Sequence, residues 1–561
     1  MFWDEETKRI LHLKECMDVF QPLTPMGRQA WQKLRPFLHG EEEAWERSLR
    51  EQEEWQRILP AGSKKREQAL IHLARMPEID PIVAELKKGQ TLKLAEWFQM
   101  KSFLWHLFRL SDLLPPLSFL TDADRRDVHT LLHALNPGGS LVPSFWIDDA
   151  YDQMLAADRR KLKKYERQRE KRREQKATEL EKRYSLRRNR LGEWVVERGS
   201  SMDQALMKEK DLIRVRETVY DAIYHLAEME EQQALHRIEA LTRRVEALEL
   251  AVLKRLTDFF VSYAPKLDAW EDLVARFDLQ LARIRAAETW RGTKPEYAPD
   301  RIEIQGGFHP WIARMLEKEG KKCTPIDCVL RQGATVIIGA NMGGKTVALK
   351  TIGMIALLSQ CGFFVPAASC KLPLFSWVRG IIGDQQNTGE GLSSFAAEIE
   401  RLCKCMELGD GGLLLLDEIG RGTNPIEGAA LAQAITRHFT KRPLWSVHVT
   451  HYQEVLEVEG ISGYRVAGLS HERAQGDLLR TEFRRAVIKG MDYRLLPLKP
   501  GESVPHEALW IAEYLGLDSG IIKDAKIRLR EEESAGGGKI EIGPCSNRQG
   551  EASGSSDRFK R

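Results

Sequence analysis

Residues 334–346 read Ala334-Thr335-Val336-Ile337-Ile338, then Gly339-Ala340-Asn341-Met342-Gly343-Gly344-Lys345-Thr346. The first five form a short apolar run that predicts a buried strand. The next eight fit G-x-x-x-x-G-K-[ST], and the helix-forming run Val347 to Leu358 follows. A glycine-rich turn between a strand and a helix is the context in which such a motif cradles phosphate. Glycines let backbone N–H groups face phosphate oxygens, and the helix N-terminus adds the positive end of its dipole. Lys345 can reach the β- and γ-phosphates, and the Thr346 hydroxyl can ligate Mg2+. A chance glycine-rich turn is the bland alternative, and the flanking strand and helix speak against it.

Further along the chain, Leu413 to Leu416 is a second apolar strand bounded by Gly411-Gly412, and Trp445 to Val449 is a third. Helical patterns lie between them. From about Arg301 this predicts an α/β fold with a mainly parallel sheet covered by helices. The second strand delivers Asp417 and Glu418 to the carboxyl edge of the sheet, where open α/β folds bind ligands. Asp417 suits the metal or its bound water, and Glu418 suits polarising an attacking water. A solvated strand edge is the alternative for the pair. His451, just past the third strand, can contact the γ-phosphate or that water, although a lone histidine is usually structural. Gly389-Glu390-Gly391-Leu392-Ser393-Ser394-Phe395 leads into the helical pattern Ala396 to Leu408. Ser393 or Ser394 can simply cap that helix. The functional reading presents its N-terminus to a phosphate, including one bound by another subunit.

Upstream, residues 1 to about 150 read as mostly helical, with Ile10 to Phe20 and Trp97 to Leu114 as apolar-periodic segments. From Tyr151 to Leu256 the composition shifts to long charged helix. Ile238, Leu241, Val245, Leu248 and Val252 set a heptad seam. Leu191 to Ser201 interrupts it with β-formers and turn residues, predicting a small hairpin or loop between two long helices. Residues 158–190 carry sixteen Lys or Arg against six Asp or Glu. That helix can dock phosphate backbones or be the solvated face of a charged coiled coil. After about Arg530 the tail turns to Gly, Ser, Glu and Arg, a composition expected to be disordered.

The formal net charge of the 561 residues is +3, which by itself selects no partner. No signal-like run or membrane-length apolar stretch is present in the sequence, and the eight cysteines form no dense framework. A cytoplasmic protein with reduced thiols is expected. The pairs Cys403/Cys405 and Cys323/Cys328 lack zinc-ligand spacing and read as buried structural thiols.

Taken together the motifs resemble the MutS family, within the ABC-type ATPase group. The family's G-P-N-M-G-G-K-S-T is similar to Gly339 through Val347, and its D-E-I-G-R-G-T to Asp417 through Thr423. Its T-H-Y resembles Thr450-His451-Tyr452, its serine-containing signature segment Leu392 to Phe395, and its H-P pair His309-Pro310. Ala340 replaces the family's Pro, Thr346-Val347 its Ser-Thr, and Asn424-Pro425 the Ser-Thr after its Gly-Thr. The resemblance implies an ATPase that uses ATP and Mg2+ and works as a dimer, with Ser393 completing the partner's site. It implies an arrangement of a helical core at 1–150, lever helices at 151–300 with a small clamp near 191–201, and an ATPase domain at 301–530. Dimerisation helices are expected over Asp492 to Leu529, followed by a loose tail at 531–561. The mismatch-reading N-terminal domain of repair members and the Smr extension are expected to be absent. None of the nineteen Phe residues is followed two positions later by Glu, as the family's mismatch wedge requires.

Two cargoes then compete. Branched or other non-mismatch DNA, held by the basic helix at 158–190, follows the family habit. A protein client is the alternative, the chain acting as an ATP-driven reactivating chaperone, for instance of a cobalamin-dependent aminomutase. A degenerate ATP-binding scaffold is a third reading, weakened by the intact Lys345, Thr346, Asp417, Glu418 and His451. No membrane partner is expected.

Overall fold

The apolar runs become strands where they can be buried on both faces. In the computed structural model, every residue of Gly333–Ile338 and of Trp445–Thr450 is buried, as central strands of a parallel sheet require. The structure describes residues 2–115, 119–139, 142–227, 232–339, 344–383, 394–469, 491–498, 509, 512–513 and 516–536. The chain divides into two compact units. The first gathers the residues up to Pro22, Arg28–Pro60 and those from Asp278 onward; the second holds Leu23–Gly27 and Ala61–Phe277.

Helices α1 (Glu5–Ile10) and α2 (Leu13–Met17) open the chain, followed by α3 (Pro25–Gln32) and α4 (Glu42–Ile58). The expected continuous helix from Ile10 to Phe20 is therefore broken: His12 takes a left-handed backbone, φ 53°, between α1 and α2.

In the second unit, α5 (Lys64–Ala74), α6 (Asp80–Lys87), α7 (Leu94–Leu113) and α8 (Asp122–Ala134) precede the long charged helix α9 (Gln153–Tyr184). Trp97, Phe103, Leu104, Leu107 and Leu110 of α7 are fully buried, so its periodic apolar face is the core of this unit. Helix α11 (Gln232–Val261) packs along α9. Val245 and Val252 of the seam are buried, and Ile238, Leu241 and Leu248 are half-buried. Asp158, almost wholly buried, is held by Arg244 at 2.8 Å, and Arg159 reaches Glu249 at 2.7 Å. Most of the Lys and Arg of α9, among them Lys163, Lys164, Arg167, Lys171 and Arg173, are exposed.

Between α9 and α11 the chain forms more than the expected hairpin at 191–201. That stretch gives a single strand, β1 (Trp194–Glu197), and the start of α10 (Ser201–Met207). Strands β2 (Leu212–Glu217) and β3 (Asp221–Leu226) complete an antiparallel sheet ordered β1-β3-β2. Trp194, Val196, Leu212, Ala222 and Tyr224 pack with Ala177 and Leu180 of α9. The β-branched and aromatic residues at 213–224 were the signal for these strands, and the surrounding charge obscured it. Helix α12 (Ala264–Thr289) ends the helical stretch.

Among the described residues, the remainder of the first unit contains two sheets. Strands β4 (Glu296–Tyr297), β5 (Arg301–Gly307) and β6 (Ile326–Arg331), with α13 (Pro310–Lys318) between the last two, join the later β8 (Ser369–Leu372) in a sheet ordered β4-β8-β5-β6. The second sheet is ordered β13-β12-β7-β11-β10-β9, from β7 (Gly333–Ile338), β9 (Val378–Ile382), β10 (Leu413–Asp417), β11 (Trp445–Thr450), β12 (Ser462–Leu469) and β13 (Met491–Pro497). All of its pairings are parallel except β12–β13, so the expected mainly parallel sheet forms.

Helix α14 (Lys345–Gln360) lies on one face of this sheet, and α15 (Ser394–Met406) and α16 (Pro425–Phe439) line the other. Leu349, Ile352 and Ile355 pack with Leu413, Leu415 and Val447, and also with Ile304 and Ile326 of the smaller sheet. A Cβ on Gly353 would meet both Leu415 and Leu11. Burying each such leucine contributes about 2 kcal/mol, which is why α14 is apolar nearly all round.

Asp492, expected to open a helical region, instead lies in β13, antiparallel to β12. The helix beyond it, α17 (Ser519–Gly536), runs past the expected start of the tail at 531; 537–561 lie outside the described residues. Of the cysteines read as buried, Cys328 and Cys405 are, Cys323 is half-buried and Cys403 is exposed. Among the described residues no helix is long and apolar enough to cross a membrane.

Candidate active site

The strand order β12-β7-β11-β10 brings three loop starts to one edge of the sheet. The turn after β7 leads to α14, Asp417 ends β10, and His451 comes just after β11, which lies between them. Of the phosphate loop, Gly339, Gly344, Lys345 and Thr346 are described; Ala340, Asn341, Met342 and Gly343 lie outside the described residues, as does Ser393. Gly344, the residue before α14, has φ +80°, and a Cβ there would come 2.9 Å from the Tyr493 ring. Both facts favour glycine.

Thr346 Oγ1 donates to Asp417 Oδ2 at 2.8 Å. The other carboxylate oxygen, Oδ1, is buried and accepts no hydrogen bond among the described residues. Burial pushes the Asp417 carboxyl up, opposed by the Thr346 hydrogen bond. A hydroxyl and a carboxylate side by side, one oxygen unsatisfied, form a donor set suited to a hard divalent cation. Lys345 is only 4% exposed; its ammonium donates to Gly339 O and sits 3.8 Å from Glu418 Oε1. Burial lowers its pKa, while Glu418 and Asp417 oppose that shift.

Glu418 has φ +52°, a left-handed backbone for a non-glycine residue. Its N–H donates to Val449 O at 2.8 Å, and Arg421 holds its Oε2 at 2.6 Å. His451 Nδ1 lies 4.0 Å from Oε1. Burial is the largest influence on the His451 imidazole and lowers its pKa; Glu418 pulls the other way. The Tyr452 ring packs against it, tilted by 39°, at 4.1 Å between centroids, and the Tyr452 hydroxyl donates to Gly420 O at 3.3 Å. Lys345, Thr346, Asp417, Glu418 and His451 are thus gathered at one sheet edge.

Three features of the site were not read from sequence. One is the left-handed Glu418, for which the sequence carries no direct sign. Another is Arg421, within D-E-I-G-R-G-T, which engages Glu418 directly. The third is Glu398 on α15. Its carboxyl is pushed up to about 7, mainly by burial and further by Asp417, with the Gly420 backbone opposing that rise. His309, conspicuous in the sequence, has a structural place. Fully buried, it accepts from Ile312 N to cap α13, and its Nε2 lies 3.0 Å from Leu11 O.

A parallel sheet with a glycine turn into a buried helix and a Thr–Asp pair at its carboxyl edge defines a nucleotide-binding fold of the phosphate-loop kind. Residues 335–494 match the family described as MutS domain V. The chain is also similar to proteins named Endonuclease MutS2. That of Agathobacter rectalis is 33% identical over 300 residues, which is 53% of this chain and 35% of the relative. That of Thermotoga petrophila is 31% identical over 334 residues, 57% of this chain and 41% of the relative. That of Halothermothrix orenii is 34% identical over 296 residues, 52% and 35%. The chain spans only about two fifths or less of the length of these relatives.

Proposed function

We propose that the chain is a MutS-type ATPase that hydrolyses ATP with Mg2+ and couples that cycle to movement of its long helices on DNA. The observation that carries this reading is the Thr346–Asp417 contact at 2.8 Å, with Lys345 and Glu418 beside it. Bound Mg2+ would supply charge neutralisation for the phosphates, held by Thr346 and Asp417. Gly339 to Lys345 bind the phosphates. Glu418 orients and polarises the attacking water, and His451 adds a hydrogen-bonding group on the same side. Ser393 completes the site of a second copy in a homodimer, and the segment from 151 to 300 acts as the levers.

DNA is favoured over a protein client because most of the Lys and Arg of α9 are exposed, as phosphate-backbone contact requires. Non-mismatch structures are the favoured form. Measurement of ATP turnover and of DNA binding across a salt series tests both halves. Lys345→Ala is expected to lose nucleotide binding, and Glu418→Ala to bind ATP but hydrolyse it at least about tenfold more slowly. Wild-type turnover by Glu418→Ala refutes the site assignment. Failure of duplex, branched and mismatched DNA alike to bind at low salt refutes the DNA half.

A further inference from the structure

Strand β9 is the outermost of the six-stranded sheet, so its outer N–H groups need partners. The N-terminal segment supplies partners for two of them. Val378 N donates to Phe2 O at 2.9 Å, and Gly380 N to the Thr7 hydroxyl at 3.1 Å. Arg379 donates to Phe2 O at 2.7 Å and pairs with Asp4 at 3.3 Å. Glu6, on the same short helix, pairs with Arg401 of α15. Residues 2–7 therefore hold both the strand that precedes 384–393 in the chain and the helix that comes after it.

Helix α15 in turn abuts the turn after Glu418. A Cβ on Gly422 would lie 3.0 Å from Phe395 Cβ, and the Gly420 backbone opposes the rise of the Glu398 pKa. Phe395, Glu398, Leu402 and Cys405 recur at steps of three and four, so a single face of α15 meets both this turn and the sheet. A non-glycine residue at φ +52° persists only where its surroundings over-determine it. The approach of Phe395 to Gly422 is among those surroundings.

We propose that Glu6 and Arg401 are positioning residues of the ATPase: their ion pair fixes α15, and α15 fixes the Gly420–Gly422 turn and with it the Glu418 carboxylate. This rests on the role given above to Glu418. Covering the β9 edge alone would stabilise the sheet and leave turnover unchanged, so turnover separates the two ideas. The same cleft holds Arg379, Arg401 and Lys404, so arginine at position 6 replaces an attraction with a fourth positive charge.

The test uses the 561-residue chain and four readouts: ATP turnover, binding of a fluorescent ATP analogue, amide exchange of the peptide 417–423, and melting temperature. Glu6→Arg and Arg401→Glu are each expected to lower kcat about fivefold, keep analogue affinity within about twofold, and speed that exchange. The double variant, with the charges exchanged, should return kcat to within about twofold of wild type. Thr7→Val, which removes the acceptor for Gly380 N while keeping shape, should shift turnover and exchange in the same direction. Single variants with wild-type kcat and exchange overturn the proposal, as does a double variant that regains its melting temperature without regaining turnover. If the wild-type chain hydrolyses no ATP, the reading of the site fails; the exchange of 417–423 still decides the coupling.

Discussion

Gly428→Ala sets two opposite effects against each other. Gly428 is the fourth residue of α16 and is buried there. Replacing a helical glycine by alanine ordinarily stabilises by about 1 kcal/mol, because alanine loses less conformational freedom. At this position a Cβ would lie 2.6 Å from Gly420 O and 2.4 Å from the Tyr452 hydroxyl. The tyrosine can swing away, at the cost of its hydrogen bond to Gly420 O, worth about 1 kcal/mol. The Gly420 carbonyl cannot, because it belongs to the turn just after Glu418, where Gly420 has φ +87°. Overpacking of this kind typically costs about 1–3 kcal/mol. The sum is a net loss of about 1–3 kcal/mol, the reverse of what helix propensity predicts. The melting temperature should fall by a few degrees, and ATP turnover should drop more than ATP affinity, because the displaced turn carries Glu418 and not Lys345. Adding Tyr452→Phe should recover only the part owed to the hydroxyl. A variant that melts higher than wild type, or one with full turnover, refutes the close approach of α16 to this turn.

The same contacts set other outcomes. Thr346→Val leaves the buried Asp417 without its only hydrogen-bond donor among the described residues; Mg2+-dependent hydrolysis should fall at least about tenfold, whereas Thr346→Ser should stay within about threefold. A serine variant as weak as the valine one would show that the hydroxyl is not what matters. His448, wholly buried in β11 with Nδ1 2.9 Å from Thr436 Oγ1, has its pKa pushed down to about 3 by burial. Neutral in the fold but protonated below about 6.5 when unfolded, it contributes stability that is present above that pH and lost as pH falls toward 3. The stability gap between wild type and His448→Gln should therefore narrow by about 1 kcal/mol per pH unit below 6.5, measured by urea titration. A gap that is constant from pH 7.5 to 5.5 contradicts the buried, neutral imidazole. Glu398→Gln keeps the size and polarity of a side chain that senses the Gly420 backbone and should change turnover little, while Glu398→Ala should lower it; equal turnover in both assigns Glu398 no part in holding the turn.

What was legible in the sequence is what local chemistry encodes. The phosphate loop, the strand ending in Asp417-Glu418 and the strand before His451 each combine a burial pattern with a reactive group within a dozen residues. They came together because all three strands deliver their carboxyl ends to one sheet edge. What stayed hidden depends on partners far apart in the chain. Nothing in Phe2 to Leu11 announces that Thr7 will accept from Gly380, or that Leu11 will press on Gly353. The segment reads as the first turn of a helical region, and most of the chain from there to residue 150 reads the same way. Charge was the other obscuring influence. The strands at 212–226 lie between a helix dense in Lys and Arg and a second charged helix, and alternation over six residues is a weak signal beside thirty-residue periodicity.

The two kinds of miss share a cause. Local pattern reports which face of an element is apolar, and it is silent about which other element covers that face. In α14 the apolar residues run nearly all round, and that alone implied a cover on both sides. The sheet accounts for one side. Residues from the start of the chain and from the smaller sheet, including Leu11, Ile304 and Ile326, join the same core. An all-round apolar helix directly after a phosphate loop was therefore the sequence's one sign that this unit recruits a second layer. Once that layer includes residues 2–11, the contacts of Asp4, Glu6 and Thr7 with β9 and α15 are a consequence, because a segment packed on α14 passes the sheet edge where those elements lie.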